Sequence, residues 1–526
     1  MKNNLKHIVF LSVLALVMMA CHNDLDQYPI DPDSFTEEDV YANAAEAKGA
    51  LAKLYAGYVL TGQQGPSDQP DIADIDEGAS QFTRMLYNLN ELTTDHAVVG
   101  WGDPGLPDLH GLYWSGSNSF SEAMYYRLAQ EVSFCNSFIE NASTLTDDAV
   151  TQYIAEARFL RAFAYYNLID LYANVPLVTQ VSTELPTQNT RAELFEFVET
   201  ELLEIQDLLA ESGANEYGRV DQVAAWALLS KLYLNAEVWT GEDRYSDCIT
   251  YSNLAINSSY AINTTDANGN GTAYDELFLA DNDTNGAQNE FIVTANFDGL
   301  KSKTYGGTTF LVHAAIGGDV MVASNYGVNG GWGGMRTTKA LVEKFNSNDQ
   351  RAMFFTDGQN LEIEDLGTFT DGYAVVKFTN IDSNGAAGND PDGEFVSTDL
   401  ALIRLAEIYL NYAEATLRGG DGGSTTTALG LINELRERAY GNTSGNIAAS
   451  GLTLDFILDE RSRELYWEGQ RRTDLVRYNY FTTATYLWPF KGNSADGTSV
   501  SAYRNIFPIP ASILTVNTNL TQNEGY

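Results

Sequence analysis

Apolar residues in the first half of the chain recur every three or four positions, the spacing that lines one face of an α-helix. Ile154, Ala157, Leu160, Ala164, Leu168 and Leu171 form one such stripe, which Asn174 and Pro176 end. Val223, Trp226, Leu229 and Tyr233 form another. The pattern predicts a series of amphipathic helices from Glu37 to about Asn257. From Asn263 to Asn289 the texture changes to Gly, Asn, Asp and Thr, the residues of turns. This loop-rich character lasts to about Thr398, broken by strand-like runs at Glu290–Ala295 and Tyr373–Phe378. Helical spacing returns between Leu400 and Leu417. There Arg404, Glu407, Asn411, Glu414 and Arg418 share one face, which predicts contact with solvent or a partner. Short paired helices predict a mainly α fold, an αα-solenoid of the tetratricopeptide kind with long irregular loops and a few short strands. No clean repeat of tetratricopeptide length is visible.

Composition narrows what such a scaffold can bind. The chain has 526 residues, 44% of them hydrophobic, enough for a sizeable core. Acidic residues outnumber basic ones 71 to 30, giving a formal charge of −41 and a pI near 4.2. Too few cations remain to replace the counterions of a phosphate backbone, which excludes nucleic acid as the main partner. Aromatics at 12% together with 44 glycines predict loops carrying flat side chains. Loops of that kind suit ligands with one apolar face and a polar rim, although most of the rings are expected in the core.

The N-terminus reads as an address. Lys2 and Lys6 precede an apolar run from Ile8 to Met19 that is too short to span a bilayer. Ala20 is small, and Cys21 follows it at the position where bacterial lipoproteins are cleaved and acylated. Met18 stands where Leu is usual. Residues 1–20 are therefore expected to be a lipoprotein signal peptide, with Cys21 the lipidated residue; the plainer alternative is secretion with a spare thiol. Two or three acyl chains anchor a protein stably where one does not. Cys135 and Cys248 lie in helix-like segments, far apart in sequence. They predict small buried hydrophobes rather than a disulfide framework, with a single bridge left open.

Catalytic signatures are missing. His22, His96, His110 and His313 are the histidines beyond the leader. No H-E-x-x-H, G-x-S-x-G, Walker A, G-x-G-x-x-G or C-x-x-C occurs. No cofactor is expected. Asp281, Asp283, Asn285 and Gly286 copy the first half of a calcium loop, but Ile292 replaces the bidentate Glu, so calcium competes there with a plain polar turn. Glu460, Arg461, Arg463, Glu464, Glu468, Arg471, Arg472, Asp474 and Arg477 alternate in sign at helical spacing. That predicts a structural ion network clamping the last helices, in preference to an anion site.

Several stretches in order resemble the SusD/RagB family of surface nutrient-binding lipoproteins of Bacteroidetes. They are L-D-Q-Y-P after Cys21, E-A-R-F-L-R-A-F-A-Y-Y-N-L at Glu156–Leu168, and R-L-A-E-I-Y-L-N-Y-A-E-A at Arg404–Ala415. I-N-E-L-R-E-R-A follows at Ile432–Ala439, E-R-S-R-E-L-Y-W-E-G-Q-R-R-T-D-L-V-R at Glu460–Arg477, and a closing F-P-I-P and Q-N-E-G-Y. The resemblance implies a single domain over 21–526, with a helical scaffold at about 37–260 and 400–480 and a loop-rich ligand-binding insert at about 261–399. It also implies an outer-membrane location facing the cell exterior, no enzymatic activity, and a TonB-dependent transporter barrel of the SusC kind as partner.

Between Thr61 and Trp114, the stretches I-D-E-G, L-N-E-L-T-T-D and V-V-G-W-G-D look like the starch and malto-oligosaccharide branch. By motif position that likeness assigns Asp76, Arg84 and Trp101 to glycan binding, with Asp103 beside them and Tyr305 and Trp332 from Gly-rich loops. Where that branch can carry an Asn three residues after the Trp, this chain has Pro104. Glycines on both sides of Trp101 and Trp332 predict exposed indoles, since a core wants packed neighbours. Capture of another glycan or of peptides on the same scaffold, and glycoside hydrolysis, are the competing readings.

Overall fold

In the computed structural model, which describes residues 36–526, the first half of the chain forms helices joined by turns and by longer loops. They are α1 (Ala44–Gly57), α2 (Phe82–Asn90), α3 (Ser119–Ala142), α4 (Asp148–Tyr172), α5 (Arg191–Ile205), α6 (Gln222–Leu234) and α7 (Tyr245–Ile256). Cys21 and the leader lie outside the described residues. Polar side chains start these helices: Asn43, Asn118, Asp147 and Asp221 each accept a first-turn N–H, and Thr190 and Glu193 form a reciprocal capping box. The stripe from Ile154 to Leu171 lies in α4. The helix stops at Ala173, which takes a left-handed φ of 60° just before Asn174 and Pro176. α4 packs between α3 and α5, and α6 packs on α7, as a solenoid of helix pairs requires.

The second half adds α8 (Gly307–Ala314), α9 (Leu405–Leu417), α10 (Thr425–Tyr440), α11 (Leu454–Leu465) and α12 (Arg471–Arg477). Three antiparallel two-stranded ladders stitch distant segments together. β1 (Val98–Val99) pairs with β3 (Met335–Arg336), β2 (Phe291–Ala295) with β6 (Leu400–Arg404), and β4 (Phe354–Phe355) with β5 (Ala374–Val375). Both strand-like runs of the sequence are thus strands, the second shortened to Ala374–Val375.

The segment from Leu400 to Leu417 departs from expectation. It is not one helix with a solvent face: β6 runs to Arg404 before α9 begins. Arg404, Glu407, Asn411 and Glu414 are all at most 3% exposed, and Arg418 is half-buried. The polar stripe points inward because every charge on it finds an opposite one. Glu414 takes Arg477 at 2.7 Å, and Arg404 takes Glu290, Glu464 and Glu468 at 2.7–2.9 Å. The C-terminal network is structural, as its alternating signs predict, and wider than they show. Arg351 joins Asp349, Glu460 and Glu464, while Arg471 and Arg472 reach back to Asp95 and Asp170. Cys135 and Cys248 are both buried and free. Among the described residues, no helix is long and apolar enough to cross a membrane.

Candidate functional site

One buried amide organises the surface where the predicted binding residues lie. Gln81 donates through Nε2 to the carbonyls of Tyr58 and Val59 at the end of α1. Its Oε1 accepts from the N–H groups of Arg84 and Gly307, so a single side chain ties α1, the first turn of α2 and the start of α8. Gly306 and Gly307 permit this approach. A Cβ on Gly306 would lie 2.3 Å from Gln81 Cβ, and one on Gly307, at φ +56°, would lie 2.2 Å from the Phe297 ring.

α8 then presents Phe310 as a floor, fully buried. The Arg84 guanidinium sits 4.5 Å above the centre of that ring and donates to the Tyr305 carbonyl at 3.1 Å. The Trp101 indole also leans on Phe310, with centroids 6.3 Å apart. At the far end of α8, the last carbonyls need donors. The 332–334 loop supplies them, with Trp332 N–H donating to His313 and Gly334 N–H to Ala314. Trp332 is thereby laid flat on the His313 ring at 4.9 Å and 17°. Trp101 Nε1 donates to the Trp332 carbonyl at 3.3 Å, and the Tyr305 ring lies 6.3 Å from that of Trp332. Tyr305, Trp332 and Trp101 form a continuous half-buried row, with Arg84 at its edge.

Charge is concentrated beside the row. Burial brings Arg84 down to about 10, and Asp76, Asp103 and Glu77 oppose that shift as its anionic neighbours. Asp76 and Asp103 are exposed. Glu77 is buried and bonded to Thr61, and burial pushes its carboxyl up to about 7. All six residues expected from the sequence, Asp76, Arg84, Trp101, Asp103, Tyr305 and Trp332, therefore come together in space.

One expectation needs correction. The indoles are half-buried, not fully exposed, because their flanking glycines admit close neighbours. A Cβ on Gly334 would lie 2.0 Å from the Trp101 ring, and one on Gly331 would lie 2.2 Å from the Ile316 carbonyl. The Asp281–Asn285 stretch is a pinned polar turn, one of the two readings the sequence offers for it. Asp281 accepts from the Ser383 N–H and hydroxyl, and the Asn285 amide turns to the Glu276 carbonyl. Among the described residues, no three His, Cys, Asp or Glu side chains converge as a metal site.

Residue-by-residue reading misses Phe310, His313 and Glu394. Glu394 accepts from the Tyr305 hydroxyl, and the two His313 ring nitrogens face the carbonyls of Gly330 and Glu394 at 2.7 and 3.0 Å. Only the helical spacing of Phe310 and His313, three apart after Tyr305-Gly-Gly, hints at them. The site offers flat C–H-binding faces, a cation and several carboxylates at one rim, which is recognition chemistry for a polyhydroxylated ligand.

Comparison with known proteins agrees with this architecture. The profile of the SusD family matches residues 362–526, and one described as starch-binding, associating with outer membrane, matches residues 41–234. The chain is 35% identical to the starch-binding protein SusD of Bacteroides thetaiotaomicron, over 98% of this chain and 97% of that one. It is 28% identical to a SusD-like protein of Bacteroides ovatus, covering 90% and 82% of the two chains. Among solved structures, a SusD superfamily protein from Parabacteroides distasonis superposes with a TM-score of 0.71 at 22% identity, over 94% of this chain and 100% of that one. The surface glycan-binding protein A of Bacteroides fluxus gives 0.70 at 20%, over 92% and 99%.

Proposed function

The chain belongs to the SusD family, and from that premise we propose that it captures starch-type α-glucan at the cell surface. The bound malto-oligosaccharide passes unchanged to a partner TonB-dependent transporter barrel of the SusC kind. In this reading residues 1–20 are a signal peptide, and lipidated Cys21 anchors a single domain, 21–526, to the outer membrane. Residues 261–399 then form the insert that carries the ligand loops. The relative that is 35% identical is named for starch binding, and the Bacteroides fluxus structure for surface glycan binding.

The observation that carries the proposal is the row of Tyr305, Trp332 and Trp101 over Phe310, with Arg84, Asp76 and Asp103 at its rim. A coiled glucan presents weakly apolar C–H faces and a rim of hydroxyls. Stacking on the rings supplies affinity, and charge-assisted hydrogen bonds to the hydroxyls set orientation. Calorimetry with maltoheptaose tests it. Trp101→Ala and Trp332→Ala should each cost about 1–3 kcal/mol of binding, on top of a lower melting temperature from the lost contacts with Phe310 and His313. Full binding by the double variant refutes the site.

A further inference from the structure

The basic residues of this acidic chain are distributed unevenly. Of the lysines in the described residues, Lys48, Lys231, Lys339, Lys344 and Lys377 each hold a carboxylate, and Lys491 is buried against three carbonyls. The three that remain, Lys53, Lys301 and Lys303, line one cavity of about 400 Å³. It lies between α1, the loop from Gly62 to Asp71 and the turn before Tyr305. Lys53 rests over the Phe134 ring at 4.8 Å and Lys303 over Phe395 at 5.2 Å, contacts that position the ammonium groups without neutralising them.

A fourth cation adds to them from beneath. Arg127 is 2% exposed, and its guanidinium donates to the carbonyls of Ser80 and Thr61 and to Gln130. The carboxylate facing it in the cavity, exposed Asp71, is no nearer than 3.8 Å. Glu131, one turn along α3, is enclosed under α1 beside the Cys135 thiol; burial raises its carboxyl to about 8, so it brings little negative charge at neutral pH. Asp390, a carboxylate that Lys303 helps hold down, spends its oxygens on the N–H groups of Asp392, Glu394 and Phe395. Four cations thus face one exposed carboxylate, in a chain where acids outnumber bases 71 to 30.

We propose that this cavity is a second binding site, for an oxyanion (a phosphate or sulfate ester, or a carboxylate) carried by a saccharide held on the aromatic row. Lys303 and the Tyr305 ring of the row both lie 5.2 Å from the Phe395 ring, which sets the cavity beside the row. A concave cavity with its charge at the walls and floor suits one compact anionic group rather than a flat protein face. Attachment to a saccharide rests on the glucan reading above; the anion site itself does not.

The test is calorimetry at low salt on the wild type, the Lys53→Gln, Lys301→Gln, Lys303→Gln triple variant, and Lys301→Gln alone, whose exposed side chain puts the fold at no risk. Inorganic phosphate should bind the wild type, bind Lys301→Gln more weakly, and not bind the triple variant. Malto-oligosaccharides from a phosphate-rich starch should bind the wild type roughly tenfold more tightly than the same preparation after phosphatase treatment, a difference of about 1.4 kcal/mol. The triple variant should bind both equally. Phosphate binding that is absent, or unchanged by the substitutions, overturns the site. Equal affinity of the wild type for both preparations overturns attachment to the saccharide. If neither preparation binds while phosphate still binds through the lysines, the anion site stands and the glucan reading falls.

Discussion

Substituting Gly334 by Ala separates two reasons for the glycines around the tryptophans, close packing and open exposure. A Cβ there would lie 2.0 Å from Cε2 and 2.3 Å from Cζ2 of Trp101, so the indole or the loop has to move. Gly334 is not among the positive-φ residues, so the backbone accepts Ala and only the contact is perturbed. Displacing the indole loosens its N–H bond to the Trp332 carbonyl, worth about 0.5–1.5 kcal/mol net. It also loosens the edge contact with Phe310, worth about 0.5–1.5 kcal/mol. The combined effect is about 1–3 kcal/mol, divided between lower stability and weaker stacking of the ligand. Thermal unfolding followed by tryptophan emission reads the first part, and calorimetry with maltoheptaose reads the second. Gly102→Ala and Gly330→Ala are the controls, since neither added Cβ meets any atom within 4 Å. A Gly334→Ala protein matching the wild type in both assays refutes the packing argument, and so does equal damage from the controls.

Three further outcomes follow from the same physics. Arg461 donates to Asn411 and pairs with Asp474 at 2.8 Å inside the protein, so Arg461→Ala takes one of two cations from a buried carboxylate that keeps Arg477, and should cost about 1–3 kcal/mol of stability. Any folded fraction should still bind maltoheptaose, and loss of binding without loss of stability would overturn the structural role. Despite opposing burial, Arg351, Arg463 and Arg436 hold the Glu460 carboxyl at about 2, and Arg461 and Arg477 do the same for Asp474. Both values lie below the ordinary carboxylate range near 4. Their contribution is therefore complete above that range and is lost as pH falls toward about 2; the melting temperature should drop through this acid window, and a flat profile contradicts it. Cys21→Ala should abolish acyl labelling and release the protein from the outer-membrane fraction, and unchanged retention refutes the lipid anchor.

Helical periodicity found the scaffold because its signal is local: α4 and α6 each carry their apolar stripe and their stop or cap within a few residues of sequence. The face of α9 shows where local pattern stops being enough. Arg404, Glu407, Asn411 and Glu414 look solvated until Glu468, Arg461, Arg477 and Lys231 arrive from segments far along the chain. Amphipathic spacing marks a change of environment across a helix, and a buried ion network produces the same change as water does. The nine charged residues from Glu460 to Arg477 were legible because both signs of the network lie in one short segment; Glu290, Asp95 and Asp170 are invisible to the same rule.

The candidate site divides in the same way. Trp101 and Trp332 stand out in sequence because glycines surround them, but the glycines were legible only as missing bulk. Their purpose depends on what approaches, namely the Ile316 carbonyl at Gly331 and the Trp101 ring itself at Gly334. Phe310 and His313 lie on an ordinary apolar helix, and nothing local distinguishes a residue that supports a binding ring from one that fills a core. Their role arises from Gln81, which fixes the start of α8 against α1 and α2, and from the Trp332 and Gly334 N–H groups that close its last turn. The aromatic row is therefore a property of how α8 is held at both ends. A substitution at Gln81, which touches no ring of the row, should disturb it as surely as one within it.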